Sequence, residues 1–178
     1  MRKFLFLDID GVLNSEKWAR SPNVTFIHGR CYGINPAAVK LLNQVVKKTD
    51  CEIVISSTWR KMHTIDELKT ILANHGFKYS NRIVGTTSTA NRIFERKSIT
   101  DEFISLQDSK YGNWDRGFEI DDWLSQNVSS PYIFAIVDDD SDMWIHKDKL
   151  VKTTWTHGMN KKTVDGLVEM LSSAHSNS

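Results

Sequence analysis

Apolar residues along this chain alternate between two patterns. Unbroken runs at 4–7, 53–55 and 132–137 predict strands buried on both faces, as in a parallel sheet under helices. Between them, apolar residues recur at helical spacing. Asn35 and Pro36 open a helix as N-cap and first residue, with Val39, Leu41, Leu42, Val45 and Val46 as its buried stripe. Thr64 and Glu67 form a capping box ahead of Ile65, Leu68, Ile71 and Leu72, and His75-Gly76 closes that helix. A further helix spans 115–127, with Asp115 as its cap and Phe118, Ile120, Trp123 and Leu124 inward. Residues 82–85 read as a weaker strand, 150–155 as an edge strand and 160–171 as a closing amphipathic helix.

Strand and helix in alternation predict an α/β, Rossmann-like parallel sheet flanked by helices. A single domain over 1–172 and a disordered tail at 173–178 complete the expected organisation, with no repeat or linker. Two windows lack periodicity. Residues 15–34 read as a loop or small flap. Residues 86–113 carry Arg92, Arg96 and Lys97, which either line a cleft or, the favoured reading, form a solvated face.

Composition narrows the class. A net charge of +1 over 178 residues speaks against a general nucleic-acid coat or membrane-surface protein and leaves room for a local basic patch. Two cysteines, Cys31 and Cys51, make no disulfide framework; Cys51 introduces a strand as a small hydrophobe. With acids too near the start for a signal peptide and no run able to span a bilayer, the expected setting is the reducing cytoplasm.

The chemistry sits at the strand ends. The first run delivers Asp8 and Asp10, the second Ser56 and Ser57, the third Asp138 and Asp139. In a parallel sheet these groups emerge at one edge, where ligands bind in open α/β folds. Asp8 and Asp10 point to opposite faces of a straight strand, but Gly11 lets the chain turn sharply there. Carboxylates gathered in this way repel unless a cation lies between them, and a hard divalent ion such as Mg²⁺ answers that need. Carboxylates, a hydroxyl and a cation together are what phosphoryl transfer requires.

The segments LDIDGVLN (7–14), ISSTWR (55–60), RGFEIDDWL (116–124) and IVDDDSDM (136–143) resemble the haloacid dehalogenase (HAD) superfamily of aspartate-nucleophile phosphatases. They look most like its branch associated with Swiss Army knife RNA-repair proteins, and are similar in plan to the 3′-phosphatase domain of phage-type polynucleotide kinase. The resemblance implies Asp8 as nucleophile, Asp10 as general acid and base, and Ser56, with Ser57 as runner-up, holding a phosphate oxygen. It implies a lone basic residue, with Arg116 preferred over Lys110 and Arg92. The metal falls to Asp8, Asp10 and Asp139, supported by Asp138. Gly11, Asn14, Ser57 and Arg60 are implied on the substrate side, Arg60 as a substrate or structural contact.

Neither aperiodic window has room for a large lid, so a minimal cap or none is expected. An open site favours a phosphorylated nucleic-acid end, nucleotide or phosphoprotein over a tiny metabolite. The expected activity is a Mg²⁺-dependent phosphomonoesterase acting on a nucleotide or polynucleotide 3′-end, with Trp18, Trp59, Trp114 and Arg92 available to stack on or pair with it. A non-catalytic adaptor, a phosphotransferase and a phosphatase of other small phosphoesters or phosphoproteins are the alternatives.

Overall fold

The computed structural model describes all residues except Thr25, 28–30, Asn113 and 173–178, so the expected disordered tail lies outside the described residues. Strands β1 (Arg2–Leu7), β4 (Glu52–Ile55), β5 (Ile83–Thr86), β6 (Tyr132–Asp138) and β7 (Leu150–Lys152) form one parallel sheet in the order β5-β4-β1-β6-β7. From β1 the chain steps to β4 and β5 on one side, then returns to β6 on the other, so the strand order reverses beside β1. That reversal is where α/β sheets open a crevice.

The runs are buried on both faces because alternate side chains meet different helices. Leu5, Leu7, Ile53 and Ile55 pack with α2 (Pro36–Thr49), α3 (Ile65–Asn74) and α7 (Lys161–Ser172). Phe4, Phe6, Val54, Phe134 and Ile136 pack with Ile120, Trp123 and Leu124 of α6 (Asp115–Asn127). The expected caps of α2 and α3 are in place: Ala37 N donates to Asn35 Oδ1 at 2.9 Å, and Thr64 and Glu67 bond reciprocally. Cys51 is fully buried in the first of these cores; the side chain of Cys31 is not among those described. Among the described residues, no helix is long and apolar enough to cross a membrane.

Several sequence expectations are corrected. Asp115 is the first helical residue of α6 rather than its cap; Trp114 holds the cap position without a side-chain bond. Residues 15–34 contain a short helix α1 (Glu16–Ala19) and a hairpin of β2 (Phe26–Ile27) and β3 (Cys31–Tyr32). The edge strand stops at Lys152. Residues 86–113 fold into two helices, α4 (Ala90–Lys97) and α5 (Asp101–Tyr111). Their side chains Ile93, Phe94, Phe103 and Ile104 gather on Trp114 and Phe118 in a satellite core. Arg96 and Lys97 are neither cleft-lining nor simply solvated, since both bind the buried Asp122 carboxylate, at 2.7 and 2.8 Å.

Gly117 seats α6 against the loop after β6. A Cβ there would lie 2.1 Å from the Met143 carbonyl carbon and oxygen, a backbone obstacle that cannot rotate away. Gly117→Ala is expected to destabilise the fold by at least about 1–3 kcal/mol, the usual cost of overpacking, read as a lowered midpoint in urea unfolding.

Candidate active site

Pairing of β1 with β4 and β6 aligns Leu7 with Ile55 and Val137, so the next residue of each strand emerges at the same sheet edge. The ladder runs on one step further, with Asp8 N donating to Val137 O at 3.1 Å and Ser56 N to Leu7 O at 2.9 Å. One carboxylate oxygen each from Asp8, Asp138 and Asp139 thereby lie within 4.8 Å of one another. Asp8 and Asp138 are buried and Asp139 is half-buried. Asp138 Oδ2 has no hydrogen-bond partner. Oxygen-only donors, an unsatisfied buried carboxylate oxygen and clustered negative charge fit a hard divalent cation.

Gly11 makes the close approach possible. Its φ is +68°, and a Cβ there would fall 2.2 Å from Asp139 Cγ. Asn14 then ties the turn, accepting from Gly11 N at 3.0 Å through Oδ1 and donating to Asp10 Oδ1 at 2.7 Å. The other Asp10 oxygen accepts from Trp59 Nε1 at 3.0 Å. Asp10 is thus held by two neutral donors and lies outside the cluster of three carboxylates.

Arg116, from the first turn of α6, is the basic residue that reaches this cluster. Its Nε lies 3.4 Å from Asp138 Oδ2, and Nη1 donates to the Ser56 carbonyl. Burial alone lowers its pKa, but the charges of Asp8, Asp138, Glu119 and Asp142 outweigh that, so it stays protonated. Arg92 lies on α4, in a neighbouring cleft. Of the two serines, Ser57 hydrogen-bonds the Asp8 carboxylate, whereas the Ser56 hydroxyl accepts from Thr87 Oγ1 at 3.5 Å. Trp59 and Trp114 are fully buried and unable to stack on a ligand. Trp18 is half-buried, with its ring nitrogen donating to Gly33 O at 2.6 Å.

Glu119 is a site-shaping residue that the sequence reading passed over. Buried, it accepts from Arg60 Nη2 at 2.5 Å and from Ala90 N, at the start of α4, at 2.9 Å. It also stands 3.9 Å from Arg116 Nη1. Arg60 donates in turn to Ser57 O at 2.5 Å. The available signal was an acid three residues after Arg116 on the inward face of α6, beside Phe118 and Ile120.

A family model for the HAD domain in Swiss Army Knife RNA repair proteins matches residues 4–164. The chain belongs to this family. Neither a curated protein nor a solved structure matches it. Membership makes this HAD domain a hydrolase of the phosphatase type with a phosphorylated substrate, and the buried acidic cluster fits the divalent metal that HAD domains generally use.

Two expectations follow. Burial raises the Asp8 carboxyl to about 6. Burial and the nearby Asp8 charge raise Asp138 to about 8. Both exceed the ordinary carboxyl value, so the folded metal-free protein holds extra protons. Its stability then falls as pH rises from about 4 to about 8. A bound divalent cation should offset this, and the rise in Tm on adding Mg²⁺ should be larger at pH 8 than at pH 5. Glu119→Ala strands Arg60 and Arg116 without their shared counter-ion and should cost about 3–5 kcal/mol, measured by denaturant unfolding, with Glu119→Gln milder.

Proposed function

We propose that the chain is a Mg²⁺-dependent phosphomonoester hydrolase that works through an aspartyl-phosphate on Asp8 and acts on the 3′-phosphate of a nucleotide or nucleic-acid end. The observation that carries this reading is the separation of two carboxylates in one turn. Asp8 is buried among Arg116, Ser57, Asp138 and Asp139, while Asp10 is held apart by Trp59 and Asn14. This separation supports one carboxylate as nucleophile and the other as proton donor and acceptor.

A carboxylate oxygen of Asp8 attacks phosphorus in line as the P–O bond to the leaving group breaks, and Asp10 gives that oxygen its proton. Asp10 then takes a proton from water, whose oxygen attacks the phosphorus of the aspartyl-phosphate, releasing inorganic phosphate and restoring the Asp8 carboxylate. Arg116 balances charge on the transferring group, and the Ser57 hydroxyl, already at Asp8, is better placed than Ser56 to hold a phosphate oxygen. Mg²⁺ held by Asp8, Asp138 and Asp139 would neutralise the phosphate oxygens. The α4–α5 insert, of two short helices, is too small for a large lid, which suits a bulky substrate, and the RNA-repair description of the family favours a nucleic-acid end. A free, buried Cys51 suits a reducing, cytoplasmic setting.

The test is phosphate release, with Mg²⁺ or EDTA, from an aryl phosphate, mononucleotides and 3′- or 5′-phosphorylated oligonucleotides. Metal-dependent release is expected, best with 3′-phosphates, and Asp8→Asn should lower it by at least about a thousandfold while Tm is retained. Asp139→Asn should raise the Mg²⁺ concentration needed for half-maximal rate. Silence across the panel would overturn the hydrolase reading, and preference for another ester would overturn the 3′-end.

A further inference from the structure

Beside the phosphoryl site lies a cleft of about 530 Å³. Thr87 joins the two, because it lines the cleft and its hydroxyl reaches Ser56. The walls are polar: residues 86–89 supply three threonines and a serine, and Asn91 an amide. Arg60 also lines it with its side chain 5% exposed, and its Nε has no hydrogen-bond partner. Two exposed cations complete the lining, Lys61 and Arg92. Among the described residues neither forms an ion pair within 4 Å, although the Lys61 charge is felt by Asp115 across the cleft mouth. The acids present are Glu119, which is matched by Arg60, and Asp115 at the surface. Among the described residues that line it there is no aromatic ring.

Resting on the phosphatase reading above, we propose that this cleft holds the sugar-phosphate backbone of the leaving strand, with Lys61 and Arg92 on the phosphodiester next to the 3′-phosphate. Hydroxyls, an amide and two exposed cations answer ribose and phosphate oxygens, and a described lining without an aromatic face offers bases nothing to stack on. The volume suits about one or two nucleotides, within the range of small-ligand sites. The enzyme therefore distinguishes a strand end from a small phosphoester by charge, and reads no base.

The experiment compares an aryl phosphate, uridine 3′-phosphate, uridine 3′,5′-bisphosphate, and 3′-phosphorylated homopolymers of uridine and of adenosine. The second phosphate of the bisphosphate should raise kcat/KM by about tenfold, the effect of one charge-assisted contact. The two homopolymers should agree within about threefold, since shape and charge rather than base edges are read. Lys61→Ala with Arg92→Ala should cost oligonucleotides at least about tenfold more than aryl phosphate, through KM. The slope of log affinity against log salt should fall by about one for each cation removed.

Equal rates for uridine 3′-phosphate and the bisphosphate, a strong base preference, or equal losses on aryl phosphate and oligonucleotide would overturn the proposal. Anisotropy of a labelled 3′-phosphorylated oligonucleotide with Asp8→Asn protein separates the two readings. Binding that the double substitution weakens about tenfold supports the cleft even without turnover. Absence of binding overturns the cleft, while metal-dependent aryl phosphate hydrolysis would leave the phosphatase standing.

Discussion

Carboxylates do not gather out of water without compensation, and the design of this protein follows from that constraint. Asp8 and Asp138 are buried at adjacent strand ends with Asp139 beside them. Lost hydration pushes Asp8 and Asp138 toward protonation, and the Asp8 charge pushes Asp138 further, a direction that Arg116 opposes at both. A divalent cation of the kind HAD domains generally use would complete the balance. The sheet supplies the rigidity that makes such an arrangement tolerable, because β1 is paired on both sides over Phe4–Leu7, next to its terminal acid, which cannot swing aside.

Arg116 is itself costly to bury, and its support extends outward in layers. Glu119 sits between Arg116 and Arg60, Arg60 holds the carbonyl of Ser57, and Glu119 also takes the first amide of α4. The helical insert and the turn after β4 are thereby wired to the same buried acid. A disturbance at α4 should therefore reach the acidic cluster through charge as well as through packing.

The strands and the acidic ends were legible from sequence because burial on both faces leaves an uninterrupted apolar run, and acids at the end of such a run stand out. Partners across the sheet were less so. Glu119 looks like any surface acid of a helix until Arg60, fifty-nine residues earlier, is known to lie against it. Ser56 and Ser57 were hard to rank because alternation sends them to opposite faces, and only the register fixes which meets Asp8. The two helices between 90 and 111 are less legible because they close on a small separate core in which Phe94, Phe103 and Ile104 are only half-buried, blurring the periodicity. Tryptophans offered as stacking platforms serve the interior: Trp59 orients Asp10 and Trp114 anchors the insert.

Leu7 pairs with Val137 across 130 positions of chain, and the three strands bearing the site lie at 2–7, 52–55 and 132–138. Assembly is therefore non-local and slow by nature, since distant segments must meet before their contacts reward the lost entropy. During synthesis, the apolar strand 2–7 waits with one hydrogen-bonding edge open until residues 132–138 leave the ribosome. That interval exposes a sticky edge. Substitutions along β6 that leave the finished protein intact can then lower yield through aggregation of nascent chains.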